Sequence, residues 1–179
     1  MSATAVLVTG TVGVGKSVTA DRIGSWLLAE RVPHAVIDLD EIRRYWPTPP
    51  DDPFGFEVGL LNLQPLVANY MGAGVRRLVL AGVCASRQDR DRYVATIGMP
   101  LVVCRLRAPL AVVQARLRQR HIDDSDGLAW HLERAEELDF ILDAAHVADV
   151  EVATDMRTAD QVAAEILAAI GWNTAAMEA

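Results

Sequence analysis

Short apolar runs alternate along this chain with longer segments in which apolar residues recur every three or four positions. That alternation predicts repeated strand–helix units on a parallel sheet, an α/β architecture. Five runs read as strands: Ala5–Thr9, Ala35–Leu39, Arg77–Val83, Leu101–Leu106 and Val150–Ala153. Their near-continuous apolar character suits strands covered on both faces.

The segments between them carry helix punctuation. A helix runs from Lys16 to about Arg31, where Pro33 blocks continuation, and a short one starts near Glu41. Pro47–Pro53 is rich in helix breakers and reads as an irregular loop. Phe54–Met71 places Leu60, Leu63, Leu66, Val67 and Tyr70 on one face and stops at Gly72 and Gly74. Ser86 caps a helix to about Ile97, with Asp89 at the third position after it, and Thr158 caps the last helix with Gln161 completing a capping box. Pro109 opens a helix bearing Arg116, Arg118 and Arg120. The polar break Asp123–Gly127 then precedes a helix over Leu128–Ala145. Residues 1–171 form one domain on this reading, and 172–179 are expected to fray.

The most specific local signal is Gly10-Thr11-Val12-Gly13-Val14-Gly15-Lys16-Ser17, which fits G-x-x-x-x-G-K-[ST] between a strand and a helix. Glycines let successive N–H groups converge on a phosphate, and the helix N-terminus adds a favourable dipole. Lys16, the only lysine of the chain, is placed to reach the outer phosphates, and the Ser17 hydroxyl to ligate Mg²⁺. The pattern implies binding of a nucleoside triphosphate.

Composition narrows the class. A net charge of −7 disfavours a nucleic-acid partner, although a local arginine cluster is compatible with it. Cys84 and Cys104 have no metal-ligand spacing and read as buried thiols of a reducing compartment. With no signal peptide and no apolar run long enough to span a bilayer, a cytoplasmic location without membrane contact is expected. The sequence does not specify an oligomeric state. The four histidines have no ligand spacing and read as structural or surface residues; the four tryptophans default to packing, with Trp46 a weak pocket candidate.

In open parallel sheets ligands bind beyond the carboxyl ends of the strands. Asp38 and Asp40 end strand 2 there, as base, metal partner or helix cap, and Arg43 follows as an anion contact. Arg90 is either a second anion contact or part of an ion-paired helix with Asp89 and Asp91. Asp155 follows strand 5 as a nucleotide contact. Arg116 and Arg120 share a helix face with Arg118 turned away, so they could close over the phosphates as part of a lid near 116–127; Arg116 could instead stack on adenine.

No N-K-x-D guanine motif and no L-S-G-G-Q transporter signature occurs. The chain resembles the adenylylsulfate kinase branch of the nucleotide-kinase-like P-loop proteins. The likeness rests on GTVGVGKS, on Asp38–Arg43 against D-G-D-x-x-R, on Cys84–Asp91 against I-S-P-Y-R-x-D-R-D, and on the arginine-rich helix. Likeness to the shikimate, gluconate and antibiotic phosphotransferases is comparable. Leu39 replaces the middle glycine of the second motif, and Cys84-Ala85-Ser86 replaces I-S-P. The resemblance implies a three-layer fold with five parallel strands in the order 2-3-1-4-5. It also implies Mg-ATP as donor, Asp40 near the catalytic centre, and Arg43 and Arg90 near the acceptor.

The expected activity is γ-phosphoryl transfer from ATP to a small hydroxylated or anionic metabolite. Lys16, Asp40 and Arg120 would be catalytic, Ser17 and Asp40 would hold Mg²⁺, and Asp38, Arg43 and Arg90 would face the acceptor. A non-catalytic ATP-binding switch and a polynucleotide 5′-hydroxyl kinase are the alternatives.

Overall fold

The five apolar runs form one parallel sheet in the computed structural model, which describes residues 4–122 and 124–172. The strands are β1 (Thr4–Thr9), β2 (His34–Asp38), β3 (Arg77–Ala81), β4 (Leu101–Arg107) and β5 (Val150–Ala153), in the spatial order β2-β3-β1-β4-β5. Strand β1 is central, with Val6 in register with Val79 on one side and Val102 on the other.

Alternate side chains of β1 enter different cores. Ala5 and Leu7 pack with Leu63, Val67 and Ile97 on one face, whereas Val6 and Val8 pack with Ile23, Leu27 and Ile166 on the other. Both faces are therefore dry, which is why the strands read as continuous apolar runs rather than alternating ones.

The covering helices are α1 (Lys16–Ala29), α2 (Phe56–Gly72), α3 (Arg87–Ile97), α4 (Leu110–Arg120), α5 (Ser125–Ala145) and α6 (Ala159–Ala169), with one 3-10 turn at Glu41–Arg43. The Ser86 cap and the Thr158/Gln161 capping box form as the sequence predicts. Helix α2 starts at Phe56 rather than Phe54, because the Asp52 carboxylate accepts from Phe56 N at 2.7 Å and Glu57 N at 2.9 Å.

Two further sequence expectations change. Helix α5 begins at Ser125, three residues before the expected Leu128, because Asp124 Oδ1 accepts from Gly127 N at 2.9 Å. The expected polar break is thus largely a capped first turn, where Asp126 also favours the helix dipole; Asp123 lies outside the described residues. Trp172, expected in a frayed tail, is 5% exposed, donates its N–H to Leu167 O at 2.8 Å, and packs in the α1/α6 core. The rest of that tail, residues 173–179, lies outside the described residues. None of the described helices is long and apolar enough to cross a membrane.

Candidate active site

The loop after β1 is shaped by glycines at positive φ: Gly10 at 145°, Gly13 at 78° and Gly15 at 108°. A Cβ on Gly10 would sit 2.7 Å from Leu106 O, and one on Gly13 would sit 2.9 Å from Leu117. A Cβ on Gly15 would meet nothing within 4 Å, so this position opens into the hollow of the loop. The loop is anchored from below, where buried Thr11 donates through Oγ1 to Ala135 O of α5 at 2.6 Å. The glycine-shaped loop and the start of α1 thus have the form that an anion cradle requires.

Half-buried Lys16 folds over this loop, donating from Nζ to Gly10 O at 3.1 Å and Thr11 O at 3.0 Å. Burial lowers its pKa below 10.5, and the carboxylates of Asp40 and Asp38 oppose that shift. The ammonium is thus held in a partly dry site that a triphosphate would compensate.

Side chains at the end of β2 join this cradle in a chain of contacts. Ser17 Oγ donates to Asp38 Oδ2 at 2.6 Å, and Asp38 Oδ1 accepts from Asp40 N at 2.9 Å. Arg43 pairs with Asp40 Oδ1, and its side chain packs beneath Gly59, whose missing Cβ would lie 3.5 Å away. Among the described residues no three His, Cys, Asp or Glu side chains form a ready-made metal site. The hydroxyl–carboxylate pair instead suits Mg²⁺, which takes one or two protein oxygens and completes its shell with water and phosphate.

These groups line a cleft of about 1190 Å³ together with Arg116 and Arg120 of α4. Arg116 donates to Val14 O at 3.2 Å, to Thr154 Oγ1 at 3.0 Å and to Thr154 O at 2.8 Å. It therefore ties α4 to the P-loop and to the turn after β5. Arg120, one turn on, is exposed, has no hydrogen-bond partner among the described residues and lies near enough to Lys16 to disfavour its charge. Arg118 is exposed and outside the lining, as its helical phase predicts.

Three sequence candidates fall elsewhere. Arg90 donates to Val147 O at 3.0 Å and Asp149 Oδ2 at 2.9 Å, so it ties α3 to the approach of β5 and leaves the cleft. Its ion pair is with Asp149 and not with the neighbouring aspartates of its own helix. Asp155 is half-buried after β5 but outside the lining, and Trp46 is 90% exposed and also outside it.

The structure adds residues to which sequence analysis gave no part in the site. Phe54, before α2, and Trp130, His131, Arg134 and Leu138 of α5 all line the cleft. Arg134 lies over the Phe54 ring, 4.4 Å from its centroid, so the loop before α2 meets α5 above the cleft. Trp130 and Arg134 are four apart and share one helix face, a spacing legible in the sequence. What that face looked onto was not.

No family model and no curated protein matches this sequence. Solved structures do match over nearly its whole length. The tunicamycin resistance protein of Deinococcus radiodurans aligns at TM-score 0.63 and 23% identity, covering 94% of this chain and 96% of that one. The adenylylsulfate (APS) kinase of Mycobacterium tuberculosis, solved with AMPPNP and APS, aligns at 0.61 and 20%, covering 94% and 98%. Shikimate kinase from Acinetobacter baumannii, solved with shikimate, aligns at 0.61 and 19%, covering 97% and 96%. The chain thus has the nucleotide-kinase-like P-loop fold, with the expected five-stranded order.

Proposed function

We propose that this chain is an ATP-dependent kinase that phosphorylates a hydroxyl group of a small molecule. The observation that carries the reading is convergence: Lys16, the Ser17–Asp38 pair, Asp40 and Arg120 line a single cleft at the carboxyl ends of the strands. Mg²⁺, when bound, would neutralise charge between the outer phosphates.

The P-loop amides and Lys16 hold the phosphates in place. Ser17 and Asp38 present oxygens to the metal, and Asp40 stands at the acceptor side, oriented by Arg43. Transfer forms an acceptor O–P bond and breaks the β–γ bridging bond, whose electron pair leaves with ADP; Asp40 takes the hydroxyl proton. Arg120, with no hydrogen-bond partner among the described residues to give up, is free to turn onto the transferring group, a role worth about 10³-fold in such reactions. Arg116 acts differently, by fixing α4 against the loop. The kinase structures of the same fold support this reading, as does the neighbour solved with AMPPNP.

The test is ADP release from Mg-ATP across a panel of hydroxylated acceptors, with Lys16→Ala as control. Acceptor-dependent release that the substitution abolishes is the expected result. Tight ATP binding with no release for any acceptor would replace the kinase with an ATP-binding switch.

A further inference from the structure

The cleft has two chemically different ends. At the P-loop end, Lys16, Arg116 and Arg120 supply positive charge. Beyond Asp40 the balance reverses. Among the described residues, the arginines of that part of the lining are Arg43 and Arg134, and each is already matched by a carboxylate. Arg43 pairs with Asp40, and Arg134 donates to Glu137 at 2.6 Å while its plane covers Phe54. Glu57, also in the lining, is held by Arg92 in a two-pronged pair.

The remaining charge there is negative. Asp52 and Asp89 serve helix starts, accepting from Phe56 N and Glu57 N and from Ala85 N and Ser86 Oγ, and both line the cleft. Asp51 is exposed and has no partner among the described residues. An anionic acceptor would meet no uncompensated cation here and several carboxylates.

The same wall also carries apolar side chains. Phe54 is 47% exposed and Trp130 is 52% exposed, and both line the opening. Phe56 and Leu138 continue the surface inward. Half-exposed aromatic rings beside carboxylates match a ligand with a ring and without negative charge.

We propose that the acceptor is a hydroxylated compound carrying an apolar ring and no negative charge, resting on Phe54 and Trp130 with its hydroxyl at Asp40. A basic amine on that compound adds affinity through Asp51. The inference rests on the kinase reading and narrows it.

The experiment measures binding and phosphorylation separately. Acceptor binding is titrated on the whole protein with Mg²⁺ and a non-hydrolysable ATP analogue, and turnover is followed with Mg-ATP. One set of probes is neutral or cationic and cyclic (aryl amino alcohols, amino sugars, nucleosides); the other is anionic (gluconate, shikimate, adenylylsulfate). Binding and phosphorylation confined to the first set are expected. Trp130→Ala should weaken that binding about tenfold at unchanged ATP-analogue affinity, and Asp51→Asn about threefold for amines alone. Phosphorylation of anionic probes in preference overturns this inference and leaves the kinase standing. Binding of the ATP analogue with no turnover in either set overturns both.

Discussion

The Ser17 hydroxyl donates to Asp38 Oδ2 at 2.6 Å, joining the end of the P-loop to the end of β2 across β3, the one strand between β1 and β2. Neither residue is buried, so the contact is a preorganised pair of oxygens at the cleft and not a core fastening. Both are positioned without flexible loops, Ser17 by the first turn of α1 and Asp38 by the last residue of β2. We expect Asp38→Asn to weaken Mg²⁺ dependence of turnover by about 10–100-fold, with nucleotide binding in the absence of metal little changed. A magnesium titration of activity measures this; an unshifted midpoint would show that Asp38 serves only the loop.

Lys16 should show a conflict between function and stability. Burial depresses its pKa below 10.5, so between the depressed and ordinary values the unfolded chain holds more protons than the folded one. Stability contributed by this group therefore rises with pH across that alkaline interval, and its burial costs stability at neutral pH. Lys16→Met should accordingly hold or raise Tm by about 2–4 °C at pH 7 while lowering turnover about 10²-fold or more. A clear fall in Tm would mean that the bonds to Gly10 O and Thr11 O outweigh the desolvation.

Arg116 should be structural before it is catalytic. Its guanidinium spans Val14 O and Thr154 with three hydrogen bonds, and Thr154 is 4% exposed. Arg116→Ala removes all three bonds and leaves Val14 O with the longer bond from Thr154 Oγ1 at 3.4 Å, at a cost of about 2 kcal/mol, which is about 4–8 °C in Tm. Arg116→Lys keeps the charge but not the fork and should recover little of the loss. Thermal melts of the two variants separate fork from charge: full recovery by lysine would reduce Arg116 to a charge.

The two thiols should be inert in the folded protein. Burial pushes Cys84 to about 12 and Cys104 to about 12, so neither forms thiolate at pH 8. Aromatic disulfide reagents should label the native protein only at the rate of unfolding, and label both cysteines at once in denaturant. Rapid native labelling would place one thiol at the surface.

The cleft was partly legible in advance. Gly10–Ser17 declares itself because phosphate binding needs a contiguous backbone shape, and contiguous shape is written in contiguous residues. The acceptor end is not contiguous. Trp130 reads as a packing residue and Phe54 only as the start of a helix, because each is an ordinary apolar position in its own segment. Arg90 read equally well as an anion contact or an ion-pair partner, and the choice depended on Asp149, fifty-nine residues away along the chain.

By itself, then, the sequence determined the strands, the helices and most of their caps, since hydrophobic period and capping chemistry act over one or two turns. It also determined that a phosphate cradle follows β1. Tertiary packing alone decided that Trp172 belongs to the core, that Arg90 faces β5, and that α5 lays Trp130 and Arg134 across the loop before α2. Those outcomes depend on which distant surface each side chain meets, and a local pattern of polar and apolar residues carries no record of that surface.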